Sequence, residues 1–238
     1  MERSDMTPSS AFEATALAGA ERVTAFLRKV YGWMFVGLGI TALTALAVAG
    51  SPQIRQLVFG NPLLLIVLFV AQLGLVVALS ARVEKLSAGT ASVLFLVYSA
   101  LTGLTLSSIF LAYSRSSIAS TFVVAAGMFG SLAFFGSVTK RSLAGVGQFV
   151  SMGLIGLLLA MVVGFFWHSA GLQFGISVVG VIVFTGLAAW DAQKLKMMAA
   201  AVPEGRSGSY AVVGALRLYL DFVNLFLFLL RFWGGRRD

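Results

Sequence analysis

Seven long apolar runs constrain this chain more than any other feature of its sequence. A helix needs roughly 20 apolar residues to cross the hydrocarbon core of a bilayer, and the runs have about that length. Charged residues make up only 11% of the 238 residues, whereas about a quarter of an ordinary soluble domain is charged. We therefore predict an all-α polytopic membrane protein, a bundle of seven transmembrane helices. The predicted spans are Val30–Gly50, Pro62–Ala81, Ala88–Ala112, Ile118–Val138, Leu143–His168, Leu172–Trp190 and Tyr210–Trp233.

Short polar segments rich in Gly, Pro, Ser and Asn separate these runs, and such residues favour turns and helix ends. The weakest separation is His168–Gly171, where one long re-entrant segment remains an alternative to two spans. Within the runs, small residues recur every fourth position, as in Gly37, Thr41 and Ala45. Because small residues let helix backbones approach closely in lipid, this pattern predicts tight helix packing.

The distribution of Lys and Arg predicts the orientation, because cytoplasmic loops are enriched in these residues. With a cytoplasmic N-terminus, the outer loops hold only Arg55 and Arg115. Seven spans would place the C-terminus outside, together with Arg231 and the two arginines among the last three residues, which opposes this rule. An even number of spans is therefore the alternative. We expect residues 1–29 to form a cytoplasmic N-terminal arm, and residues 30–238 to form the membrane domain.

Composition and motifs disfavour several classes of protein. The chain has no cysteine, which excludes disulfides, thiol catalysis and thiolate metal sites. The net charge of +8 is scattered between apolar runs, so the expected partner is the lipid bilayer and not nucleic acid. The one histidine, His168, lies at a span end, and no Gly-x-Ser-x-Gly motif accompanies it. We expect neither an enzyme nor a bound cofactor, and the absence of a targeting peptide suggests a bacterial cytoplasmic (inner) membrane.

Two aspartates, Asp191 and Asp221, lie in or beside apolar runs. A charge in hydrocarbon costs several kcal/mol unless it faces the bundle interior and finds a partner. Two carboxylates that meet in a low-dielectric site cannot both ionise cheaply, so they would share one proton and form a pH sensor. The structural alternatives are an ion pair of Asp221 with Arg217, supported by Asn224, and a wet, ionised Asp191 beside Lys194. The functional interpretation is favoured for Asp221, whereas for Asp191 the two interpretations are evenly balanced.

Three segments resemble motifs of the Bax inhibitor family of integral membrane proteins: Tyr98–Phe110, Phe184–Lys194 and Leu218–Phe226. The resemblance runs from about Arg28 to the C-terminus, and it implies a seven-helix fold in which the last helix is central. It also implies that Asp191 and Asp221 are the family's proton-sharing pair. Arg82, at the end of the second span, matches a family arginine that latches this pair. Arg217 departs from the family pattern, in which a small or polar residue precedes the motif.

The resemblance implies a pH-sensitive calcium leak, opened when acid protonates the aspartates and Arg82 loses its partner. Calcium would then be the permeant ion, with a weak, transient site at Asp191 and Asp221, since conduction requires weak binding. Hydroxyls of the third span could line the path, although bonds to their own helix backbone are the simpler use. Two alternatives remain: a regulatory protein that binds other membrane proteins, for stress protection or modulation of a membrane protease, and a proton-coupled transporter. The path-lining candidates are Thr102, Thr105, Ser107 and Ser108.

Overall fold

The computed structural model describes residues 8–167, 169–203 and 205–235, with side chains from residue 17 onward. The regular structure of these residues is helical, without strands. Seven helical segments among them are long and apolar enough to cross a membrane. The prediction of an all-α, seven-span membrane protein is therefore confirmed. The helices are α1 (Pro8–Gly50), α2 (Pro52–Phe59), α3 (Pro62–Ala81), α4 (Ala88–Leu106), α5 (Ile109–Ala112), α6 (Arg115–Val138), α7 (Ala144–Phe166), α8 (Ala170–Ala201) and α9 (Ser207–Trp233).

Polar residues of the predicted loops cap the helices that follow them. The Asn61 side chain accepts a hydrogen bond of 3.0 Å from the Leu63 amide, and proline occupies the first position of α3. Ser87 accepts a hydrogen bond of 3.1 Å from the Thr90 amide at the start of α4. Capping satisfies amides that have no partner within the helix, which matters most where water is scarce. The loop chemistry in the sequence thus fixes where these spans begin.

Several helix ends differ from the predicted spans. The third predicted span divides after Leu106 into α4 and the short α5, and α8 continues past Trp190 to Ala201. The two predicted spans around residue 168 are separate helices, α7 ending at Phe166 and α8 beginning at Ala170, and each is long and apolar enough to cross a membrane, which disfavours one re-entrant segment. His168 itself lies outside the described residues, as do the arginines at 236 and 237. α1 continues through residues 29 and 30 without a break. The division between a cytoplasmic arm and a membrane domain at this point therefore stays a prediction.

The last helix lies at the centre of the bundle, as predicted. In the most apolar part of α9, 72% of residues are buried, against 44% or less in the other candidate spans of the described residues. α1, α4, α6 and α8 all pack against α9. The fully buried ring of Tyr219 meets Phe95 and Tyr98 edge-on, at centroid distances of 5.7 and 5.8 Å. α9 is therefore surrounded by protein along most of its length.

Close contacts lock the part of α8 that carries Asp191. A Cβ atom on Gly136 of α6 would overlap the Ala189 backbone carbonyl, and one on Gly147 of α7 would overlap the Trp190 ring. The neighbouring helices can approach α8 this closely only because both positions are glycine. Buried Gln193 adds two hydrogen bonds to the loop between α6 and α7, one from the Leu143 amide and one to the Arg141 carbonyl. α8 is thus fixed on two sides around Asp191.

Candidate functional site

The structure brings the two predicted aspartates together inside the bundle. Asp191 lies on α8 and Asp221 on α9, and a five-residue connection, residues 202–206, joins these antiparallel neighbours. Each aspartate is only 5% exposed, and their carboxyl groups lie within hydrogen-bonding reach of one another. Two carboxylates at this distance repel each other when both are ionised, and a shared proton turns the repulsion into a hydrogen bond. The geometry can therefore hold one proton between two helices.

Positive charge reaches this pair from one side. An Nη atom of Arg217 donates to a carboxylate oxygen of Asp191 at 3.5 Å, and the Arg217 side chain is 41% exposed. Lys194 also acts electrostatically on Asp191, while its ammonium lies 5.0 Å from the centre of the Trp190 ring. Of these two cations, Arg217 is the one that forms an ion pair with Asp191 among the described residues.

Asp221 has an incomplete set of hydrogen bonds. Its Oδ2 atom is buried, and when the pair carries no proton, no group among the described residues donates a hydrogen bond to it. A buried ionised oxygen without a partner is costly, whereas a protonated carboxyl loses most of that cost. This unsatisfied oxygen distinguishes the site from an ordinary structural ion pair, in which each charged oxygen is bonded.

The structural alternatives are only partly realised. Arg217 forms its ion pair with Asp191 across to α8, and not with Asp221 on its own helix. The amide of Asn224 donates to the backbone carbonyl of Leu220 at 2.8 Å, and no bond to Asp221 is formed within the described part of the chain. Asp191 is buried, although Lys194 does lie close to it. The cross-helix pairing of Arg217 is the feature that the sequence interpretation missed.

Arg82 follows α3 as its C-terminal cap residue and is exposed. Among the described residues, it forms no ion pair with either aspartate, and Arg217 occupies the position beside them. The latch role of Arg82 therefore stays a prediction. In this conformation, the cation in contact with the pair comes from α9.

A second polar contact at the centre was not predicted. The hydroxyls of Thr41 on α1 and Tyr219 on α9 lie 2.7 Å apart, and the Thr41 hydroxyl donates to the Ser99 carbonyl of α4 at 2.9 Å. With Thr41 donating to Ser99, Tyr219 must donate to Thr41, so the chain of bonds has one direction. It ties three helices together two residues away from Asp221. A tyrosine within the same apolar run as Asp221 was the available signal.

The hydroxyls proposed to line a path are used locally in this conformation. Each of them bonds to a carbonyl of its own segment, three or four residues earlier. Calcium prefers six to eight oxygen ligands, and no group of three or more His, Cys, Asp or Glu side chains occurs among the residues described. The weak, transient calcium site at Asp191 and Asp221 therefore stays a prediction. The hydroxyl-bearing residues are Thr102, Thr105, Ser107 and Ser108.

Comparison with known proteins finds relatives that cover most of the chain. A family model described as "Inhibitor of apoptosis-promoting Bax1" matches residues 23–238. The protein named "Inner membrane protein YbhL" of Escherichia coli is 52% identical over 215 residues, covering 89% of this chain and 92% of the relative. An uncharacterized protein of Borreliella burgdorferi is 44% identical, with 90% and 93% covered. An uncharacterized membrane protein of Streptococcus pyogenes is 33% identical, again with 90% and 93% covered.

Proposed function

Because the chain belongs to the Bax inhibitor family of membrane proteins, we propose that it is a pH-sensitive calcium leak channel of the bacterial inner membrane. The observation that carries the proposal is the contact between two buried carboxyl groups, Asp191 and Asp221, on neighbouring helices. Intramembrane carboxylates of this kind are uncommon and mark ion or proton pathways. The Escherichia coli relative is named as an inner membrane protein, which supports this location.

The gating step is the addition of a proton to the pair. At higher pH, the pair carries negative charge and attracts Arg217, which closes the contact between α8 and α9. At lower pH, both carboxyls are neutral, and Arg217 then loses its ionic partner. The α8–α9 contact weakens as a result, and acid opens the path. Calcium then crosses by weak, transient contact with the oxygens of the neutral carboxyl groups, because a tightly held ion would block conduction.

Flux measurements on purified protein in liposomes test this proposal. We expect calcium flux to increase as the pH falls from about 8 to about 6, the range in which a proton-sharing carboxyl pair can titrate. Asp191→Asn and Asp221→Asn should each abolish the pH response while leaving a folded protein. Glu84→Gln is the matched control, since it removes an exposed carboxylate outside the pair, and its flux should follow the unmodified protein.

Two results would contradict the proposal. Flux that is independent of pH, or unchanged by both aspartate substitutions in well-folded protein, would remove the gating role of the pair. Absence of calcium flux altogether would favour the alternative of a regulatory protein that binds other membrane proteins. Thermal unfolding of each variant in detergent would show whether the aspartates serve packing alone, because a packing role lowers stability without altering a pH response.

A further inference from the structure

A lateral groove runs between α1 and α6, away from the aspartate pair. Both helices pack against α9 and form the two walls of a cavity of about 580 Å³, whose floor is Phe222. The walls are almost wholly apolar, with Met34 and Phe35 on one side and Phe129 and Gly130 on the other. Since both walls belong to candidate membrane spans, the surrounding medium is lipid.

The floor of the groove is the central helix itself. Phe222 is buried, and its ring meets Phe122 and Phe129 of α6 edge-on at 5.5 and 5.6 Å. A second cavity of about 100 Å³ shares Leu38, Phe122 and Phe222 with the first and continues it toward Ile109. The groove is thus deeper than the shallow ridges of an ordinary helix surface. An apolar space of this size in a membrane is filled by hydrocarbon and not by water.

The length of the larger cavity matches one leaflet of a bilayer. Its lining on α1 runs from Leu27 to Leu38, which is about 16 Å of helix at 1.5 Å per residue. Half of the hydrocarbon core is about 15 Å thick. A single acyl chain that enters from one leaflet therefore fits the groove from its headgroup end to the middle of the membrane.

The end of the groove near Leu27 is polar and basic. The hydroxyls of Tyr31 and Ser137 lie 3.5 Å apart across this end. Exposed Lys140 and Arg141 lie two and three residues after the end of α6. Exposed Arg28 lies three residues before Tyr31 and therefore on the same face of α1. Ser137 donates to the Ala133 carbonyl at 2.8 Å, so the Tyr31 hydroxyl is the donor that this pair can offer to a ligand. A hydroxyl donor beside two or three cations matches the phosphate of an anionic lipid in charge and in hydrogen bonding. The basic side of the membrane is the one that the sequence predicts to be cytoplasmic.

We propose that the groove between α1 and α6 is a binding site for one anionic phospholipid. One acyl chain lies along Phe222, and the phosphate lies at the Tyr31–Ser137 end beside Lys140 and Arg28. The shape of the cavity selects a chain, and the cations select the negative headgroup. This site is independent of calcium conduction, and its test requires no flux measurement.

Native mass spectrometry of the full chain, purified in mild detergent with added lipid, tests the site. We expect the protein to retain one phosphatidylglycerol in preference to phosphatidylcholine. Gly130 lines the groove, and no atom lies within 4 Å of an added Cβ there, so Gly130→Leu places a side chain in the groove and should remove most of the retained lipid. Gly127→Leu is the matched control on the same helix, since its added Cβ also meets open space but the residue does not line the groove.

The headgroup half of the site has its own variant. Lys140→Gln should weaken phosphatidylglycerol retention about fivefold, with little effect on phosphatidylcholine. Equal retention of the two lipids would overturn the headgroup assignment. Equal retention by Gly130→Leu and Gly127→Leu would overturn the groove as the binding site. Ala126→Leu, which also fills the groove, keeps the test valid if Gly130→Leu fails to fold.

Discussion

α3 and α9 are both spanning helices, yet they stand in opposite surroundings. α3 is the most apolar of the candidate spans among the described residues, and only 11% of its apolar window is buried in protein. α9 contains Asp221, Arg217 and Asn224, and 72% of its window is buried. In a soluble protein, the more apolar helix would occupy the core. In lipid, the preference is reversed, because hydrocarbon already solvates apolar side chains and polar groups must find partners inside the bundle.

This comparison separates the two uses of an apolar sequence in a membrane. Most side chains of α3 face lipid, which tolerates variation in size, whereas most of those of α9 face other side chains at fixed distances. Tyr219 illustrates the second use, since two aromatic rings and one hydroxyl hold it in a single position. We therefore expect substitutions in α9 to affect folding and function far more than equivalent substitutions in α3.

The largest difference is expected for aromatic truncation. Tyr219→Ala should lower the free energy of unfolding by about 3 kcal/mol, because it leaves a cavity and removes a hydrogen bond. Phe69→Ala on the exposed face of α3 should change it by less than about 0.5 kcal/mol, since lipid fills the space. Unfolding in mixed detergent micelles measures both. Equal losses at the two positions would break the comparison. Tyr219→Phe isolates the hydroxyl and should cost about 0.6 kcal/mol.

Replacing a glycine by alanine should change the free energy of unfolding in opposite directions in the same two helices. At Gly214 of α9, an added Cβ would press on side chains of Leu195 and Val30, so Gly214→Ala should cost about 1 kcal/mol. At Gly74 of α3, an added Cβ meets open space, and Gly74→Ala should stabilise the helix by about 0.5 kcal/mol. The same micelle assay applies. A loss of stability in Gly74→Ala would show that α3 has a protein neighbour on that face.

The smallest effect concerns the two arginines, Arg217 of α9 and Arg82 at the end of α3, and it depends on the proposed leak. Arg217 favours the ionised form of Asp191, so without it the pair keeps its protons to higher pH. In Arg217→Gln, the pH of half-maximal calcium flux should therefore rise, by about half a unit because the side chain is partly solvated. Arg82→Gln should leave it unchanged. A shift in Arg82→Gln alone would instead support Arg82 as the latch.

Some helix ends could be predicted from the sequence because local signals determine them. α3 has the predicted bounds, since Asn61 caps it and a proline opens it. The predicted end of α8 at Trp190 is too early, because the apolar run stops near Asp191. The helix itself continues to Ala201 through Ala, Gln, Lys, Leu and Met, which all favour helix irrespective of hydropathy. Apolar length defines the part of a helix in lipid, and propensity defines its full extent.

The candidate site, like the helix ends, could be predicted only in part. Asp191 and Asp221 stand out because each places a carboxylate in or beside an apolar run, a property visible in any sequence. The partner of Arg217 was not predictable, since the spacing of four residues favours Asp221 on the same helix. Its actual partner depends on how α8 is rotated about its axis, which the contacts of Gly136 and Gly147 determine. Those contacts join residues far apart in the chain.

The length of α1 gives the bundle a mechanical property. Its 43 residues form about 64 Å of helix, roughly twice the thickness of the hydrocarbon core, so a large part of α1 must project beyond it. The embedded part is fastened to α9 through Thr41 and Tyr219. Because the helix is unbroken, it acts as a lever arm: a small tilt beside Tyr219 becomes a displacement of several ångströms at the far end. A rearrangement in the membrane centre would thereby move the projecting part of α1, where molecules in solution can contact it.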